Sequence, residues 1–181
     1  AYKRTYGARF VDFDREVVRQ MEAHFPRSET VSIEDVAVSN ARTSCDFFIL
    51  VSKIFPKIHL NATDYDPYVY LVEKGRIRLT FSSNGKLLEI VCPPFVFNEI
   101  KRDSYLYFFN HLVRAVVKRV FVKSLSVAYK SRKKSSHRIA LFCQEALALA
   151  AKDERFTLGQ HNLLKKIEGN CNIDVIRAMN I

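Results

Sequence analysis

Val11, Val17, Val18, Met21 and Phe25 recur at spacings that place them on one helical face, and Pro26 ends the run, so a helix is expected over 11–25. The pattern then changes. "TVSIEDVAV" (30–38) is β-branched and apolar, "SNARTS" supplies turn and cap chemistry, and "CDFFILVSKIF" continues as a second helix that stops before Pro56. "KIHLNATDYDP" (57–67) repeats the strand signal and ends on acidic residues. Strand, helix, strand is the unit of a parallel sheet.

Between 68 and 92 apolar and polar residues alternate through Arg76, Ile77, Arg78, Leu79, Thr80 and Phe81, and Asn84-Gly85 follows as a hairpin signal. A small antiparallel meander is expected there, bounded by Pro93-Pro94. Leu106, Phe109, Val113, Val116, Val117, Val120 and Phe121 return to helical spacing, which predicts a long helix over 104–129. "KSRKKSSHR" (130–138) has no apolar residue and reads as a solvated loop or helix end. A further helix is expected around Gln144 to Lys152, and "RFTL", "HNLL" and "NIDVIRAM" carry the last strand signals.

Composition narrows the class. The 181 residues, 48% hydrophobic and 27% charged, suit one domain over 1–181 with one buried core. No run approaches the roughly 18 apolar residues of a membrane span, and no apolar segment near the start resembles a signal peptide. A cytoplasmic chain without a membrane partner is expected. The lack of an initiator Met and the close on "NIDVIRAMNI" read as a fragment, incomplete at its C-terminus.

Cys45, Cys92, Cys143 and Cys171 are too dispersed for zinc or redox motifs, so buried thiols and no metal are expected. Asn61-Ala62-Thr63 fits a glycosylation acceptor but lies in an expected strand of an intracellular chain, and is set aside. The net charge of +10 has a focus: Lys118, Arg119, Lys123, Lys130, Arg132, Lys133, Lys134 and Arg138 fall within 118–138, a segment able to contact phosphates. Aromatic residues are nearly absent from 130–138, which argues against base stacking there.

The candidate chemistry lies at "DVAVSNARTS" (35–44), where a strand meets a helix N-terminus. In doubly wound sheets this place faces the ligand. A pyrophosphate-binding turn needs glycines, and a P-loop adds a Lys and a hydroxyl at fixed spacing. Ala37, Ser39 and Ala41 stand here instead. A nucleoside cofactor without phosphates asks only for small turn residues and an acidic residue closing the second strand, and Asp64 supplies the latter.

The turn "DVAVSNARTS", the strand end "ATD" and the stretch "FTLGQHNLLKKIEGNCNIDVIRAMNI" resemble class I S-adenosylmethionine-dependent methyltransferases. The last stretch is similar to the chemotaxis-receptor (glutamate) methyltransferase branch, with Asn162-Leu163 matching a strand end, Asp174-Val175-Ile176 the next strand, and Asn180 the Asn of an Arg-Asn pair whose first place holds Met179. The family turn reads acidic-x-Gly-x-Gly-x-Gly, so Ala37, Ser39 and Ala41 each add a Cβ.

The resemblance implies an α/β, Rossmann-like, mostly parallel sheet with flanking helices, and an S-adenosyl-L-methionine site built from Asp35, Ala37, Ser39, Asn40, Ala41, Asp64, Asn162, Leu163 and Asn180. Asp64 would hold the ribose, residues 35–41 the methionine part, and Asn162 would face the adenine. No catalytic base is assigned, since His161 is as well suited to a structural role. The acceptor, a protein carboxylate or a small molecule, is open. Two other classes stay open as well: a degenerate Rossmann-like interaction module without catalysis, and a basic nucleic-acid-binding domain acting through 118–138.

Overall fold

The computed structural model describes residues 7–98, 107–116, 119, 138–162 and 172–179. Two units divide the chain, Ala1–Pro67 with Leu141–Ile181, and Tyr68–Ala140. The architecture is α/β, with a parallel four-stranded sheet in the first unit and an antiparallel five-stranded sheet in the second.

The first unit opens with α1 (Val11–His24), β1 (Val31–Val36), α2 (Arg42–Val51) and β2 (Ile58–Asp64), and resumes with α4 (Gln144–Lys152), β8 (Phe156–Gln160) and β9 (Val175–Ala178). Its strands lie side by side in the order β8, β2, β1, β9, all parallel. Within this sheet the chain therefore visits the third, second, first and fourth strands from one edge to the other. Alternation sorts the two faces. Ile58, Leu60, Ala62 and Phe156 are buried, and Phe156 meets the Phe48 ring of α2 at 5.3 Å. Phe47, Val51 and Phe55 are fully buried as well, so the α2 segment supplies much of this core. Glu34, Asn61, Thr63 and Thr157 point to the opposite face and bond to one another across β1, β2 and β8.

The second unit holds β3 (Tyr68–Lys74), β4 (Ile77–Ser82), β5 (Leu87–Cys92), β6 (Phe95–Asn98), a helix α3 covering 107–116, and β7 (Arg138–Ala140). Asn84-Gly85 forms the expected β4–β5 turn, with Gly85 at φ 85° where a side chain would be strained. Leu79, Phe81, Leu87 and Ile90 make a core of their own, with Tyr70, Val72, Ile77 and Phe97 packed on it.

The antiparallel sheet is larger than the 68–92 meander read from the sequence. Pro93-Pro94 turns the chain into β6, which pairs with β5, and β7 adds a strand on the far side of β3. Arg138, expected in a solvated segment, begins β7 and stacks on the Tyr68 ring at 4.4 Å. Of the long helix expected over 104–129, the described part is 107–116 and residue 119. The cysteines depart from expectation too: Cys45 is buried but Cys92 and Cys143 are partly exposed, because each sits at the end of an element; Cys171 lies outside the described residues.

Candidate cofactor site

Beyond Val36 the backbone leaves β1 through an unusual turn. Ala37 and Ser39 have φ 57° and Ala41 has φ 60°, so every second residue is left-handed although none is glycine. Each such residue costs about 1–2 kcal/mol relative to a right-handed conformation, so the surrounding structure must hold the turn in place. The holding bonds are explicit. Ala41 N–H donates to the Val38 carbonyl at 2.9 Å, Val38 N–H to the Thr63 carbonyl at 3.2 Å, and Cys143 N–H to the Asn40 carbonyl at 2.8 Å. Asn40 Oδ1 accepts the Arg42 N–H at 3.2 Å.

Asp64 completes this frame from the end of β2. Its Oδ2 accepts the Ser39 N–H at 2.7 Å and its Oδ1 the Asp66 N–H at 3.3 Å. The His161 N–H, just past β8, donates to the Asp64 carbonyl at 3.0 Å. The carboxyl ends of β1, β2 and β8 thus meet at one point, with the α2 N-terminus beside them. Ala41 opens α2 from a left-handed N-cap and is fully buried, whereas Ser39 is exposed.

Of the residues singled out from sequence, Ala37, Ser39, Asn40, Ala41 and Asp64 come together in this turn, and Asn162 follows His161 at its rim. Leu163 and Asn180 lie outside the described residues. So does the basic segment 118–138, apart from Arg119 and Arg138.

Asp35 is placed differently from its neighbours. It faces α1 and α2 at 1% exposure, and Arg177 of β9 reaches it with Nη1 at 2.6 Å. The same guanidinium donates to Asp14 of α1 from Nη2 at 2.8 Å and from Nε at 3.2 Å, and lies 4.8 Å from the Phe47 ring. Two carboxylates therefore share one buried cation. Burial pushes both Asp14 and Asp35 above the usual carboxylate range, against the pull of Arg177. Asp35 and Arg177 are register partners on adjacent strands, so this triad fastens β9 to β1 directly beneath the turn.

Arg177 is not among the residues that the resemblance singles out, because the resemblance places its Arg at 179, where Met179 stands. The available signal was a lone cation inside the strand "VIRA", matched by the adjacent carboxylates Glu34 and Asp35 inside "VSIEDV". Buried charges of that kind come in pairs.

Among the described residues no group of three His, Cys, Asp or Glu could hold a metal ion, and no helix is long and apolar enough to cross a membrane. No family model, curated protein or solved structure matches this chain.

Proposed function

We propose that the turn between β1 and α2 binds S-adenosyl-L-methionine and that the chain is a methyltransferase-type, Rossmann-like domain. The observation that carries this reading is the left-handed backbone at Ala37, Ser39 and Ala41. They stand at the three places that glycine takes in the acidic-x-Gly-x-Gly-x-Gly turn, and glycine is the residue that adopts positive φ without steric cost. The strand order supports it, since third, second, first, fourth is how the dinucleotide-binding sheet begins, with ligands at the carboxyl ends of its strands.

Electrostatics favour a cofactor without phosphates at this place. The N–H groups of Val38, Ser39, Ala41 and Arg42 are taken by internal acceptors, so these four do not offer a pyrophosphate the donors that a phosphate-binding nest supplies. The Asp64 carboxylate at the turn repels phosphate as well. After its bonds to Ser39 and Asp66 it retains lone pairs for a ribose diol, because a carboxylate offers about four acceptor sites. The cofactor would supply an electrophilic methyl group, which passes to a nucleophile on the acceptor. The chain's own contribution is to hold the nucleoside and exclude water, and an ionised carboxylate acceptor would need no base.

Calorimetric titration with adenosylhomocysteine tests the reading. Asp64→Ala should weaken binding by about 2 kcal/mol, the scale of a charged hydrogen bond. Asp64→Asn keeps an acceptor for the Ser39 N–H, so its loss of affinity reads the ligand and not the turn. Absence of heat with the wild-type chain, or equal affinity in Asp64→Asn, overturns the assignment.

A further inference from the structure

Four charged side chains are buried in the described residues: Asp14, Glu34, Asp35 and Arg177. Asp14, Asp35 and Arg177 are bonded to one another in the triad beneath the turn, so both of those carboxylates have a cation beside them. Glu34 is the exception. At 5% exposure it accepts one hydrogen bond from Asn61 Nδ2 at 2.9 Å and one from Thr63 Oγ1 at 2.8 Å, both neutral donors. Burying a carboxylate without a cation is costly, and natural folds rarely leave one so.

Glu34 lines a cavity of about 400 Å³ on the sheet face opposite α2, far too large for a bare metal ion. Asn61 and Thr157 continue its polar floor, Thr157 Oγ1 donating to Asn61 Oδ1 at 2.9 Å, and Ile173 adds an apolar side. Arg155 also borders the space, but its guanidinium is committed to Asp153 and the Pro56 carbonyl and lies over Phe48. A second carboxylate, Glu154, stands at the border, exposed. Parallel sheets normally carry apolar residues on both faces. A hydrogen-bonded polar row ending in an unneutralised carboxylate is a departure from that rule, and here it coincides with a cavity.

We propose that this cavity is a second binding site, separate from the β1–α2 turn, and that it takes a small organic cation bearing an ammonium or guanidinium group, with Glu34 as its counterion. The neutral donors on Glu34 leave lone pairs on both oxygens, which suits a planar, two-pronged guanidinium head. The assignment does not depend on what the turn binds, and the two sites are read by different ligands.

Agmatine is the probe, with n-butylurea as an uncharged counterpart of similar shape. One-to-one binding of agmatine to the wild-type chain by calorimetry is expected, with no heat from n-butylurea. Glu34→Gln preserves size and should bind agmatine at least about tenfold more weakly, the loss of one charged hydrogen bond. Thr157→Phe fills the cavity without touching the charge and should abolish binding. Neither change should alter adenosylhomocysteine affinity. No binding of agmatine at millimolar concentration, or undiminished binding in Glu34→Gln, overturns the proposal. If Glu34→Gln fails to fold, Thr157→Phe decides alone, and unchanged affinity in that variant overturns it equally.

Discussion

Replacing Ser39 with glycine isolates the backbone energy stored in the turn. Ser39 has φ 57°, its side chain is exposed, and its hydroxyl takes part in no hydrogen bond within the described residues. The substitution therefore removes little from the folded state except a Cβ in an unfavourable conformation, worth about 1–2 kcal/mol. Opposing this, glycine adds about 0.5–1 kcal/mol of unfolded-chain entropy. The net expectation is a gain of roughly 0.5–1 kcal/mol, or about 2–4 °C per kcal/mol in Tm for a chain of this size. Ala41→Gly is the internal contrast. It relieves the same strain at φ 60° but deletes a fully buried methyl, worth about 0.8 kcal/mol, so its effect should be close to zero. Reversible denaturant unfolding of both variants measures the difference. A clear loss of stability in Ser39→Gly, of the size glycine causes in ordinary helix or strand interiors, would refute the left-handed assignment.

Arg177→Met leaves two carboxylates buried without their cation and should destabilise the fold by about 3–5 kcal/mol, as breaking a buried ion pair does; a loss under 1 kcal/mol in chemical denaturation would mean that the triad does not form. The same triad sets a pH dependence. Because burial raises Asp14 and Asp35, the native state holds these protons more tightly than the unfolded chain does. Their stabilising contribution is full below the unfolded carboxylate value, about 3.9, and is lost as pH rises through the raised folded values. Asp14→Asn should therefore gain stability relative to wild type as pH increases over that window, and Tm profiles in which the variant loses ground instead would contradict this direction.

What the sequence revealed, and what it concealed, follows from the range of the forces involved. The α1, α2 and α4 segments and β1, β2 and the β4–β5 hairpin carry their signals locally, in apolar period and turn residues, and the expected Gln144 to Lys152 helix agrees with α4. β7 is three residues long and exists through its pairing with β3, nearly seventy positions earlier in the chain; such a strand has no local signature. β6 was hidden by Pro93-Pro94, which looked like a boundary and acts as a turn between paired strands. The turn at 37–41 illustrates the opposite difficulty. Its spacing was legible, but Ala and Ser masked the positive φ that glycine would have advertised. Asp64 was legible by position at a strand end, whereas its bond to the Ser39 N–H depends on how the neighbouring strand's turn folds over β2. The Asp14–Arg177–Asp35 triad spans three elements distant in sequence, so only charges set within apolar strands, Arg177 in β9 and Asp35 in β1, hinted at it. Glu34 belongs with these, since its environment depends on Asn61 and Thr63 from the neighbouring strand.

An amide-resolved NMR titration of the nitrogen-15-labelled chain with adenosylhomocysteine tests the cofactor-turn assignment most directly, because it reports where the ligand binds as well as whether it does. Saturable shifts are predicted to be largest at residues 37–41, at Asp64 and Asp66, and at His161 and Asn162, where the ends of β1, β2 and β8 converge. A titration that leaves these amides unmoved, or moves only residues elsewhere, would contradict the account of the β1–α2 turn as the cofactor site.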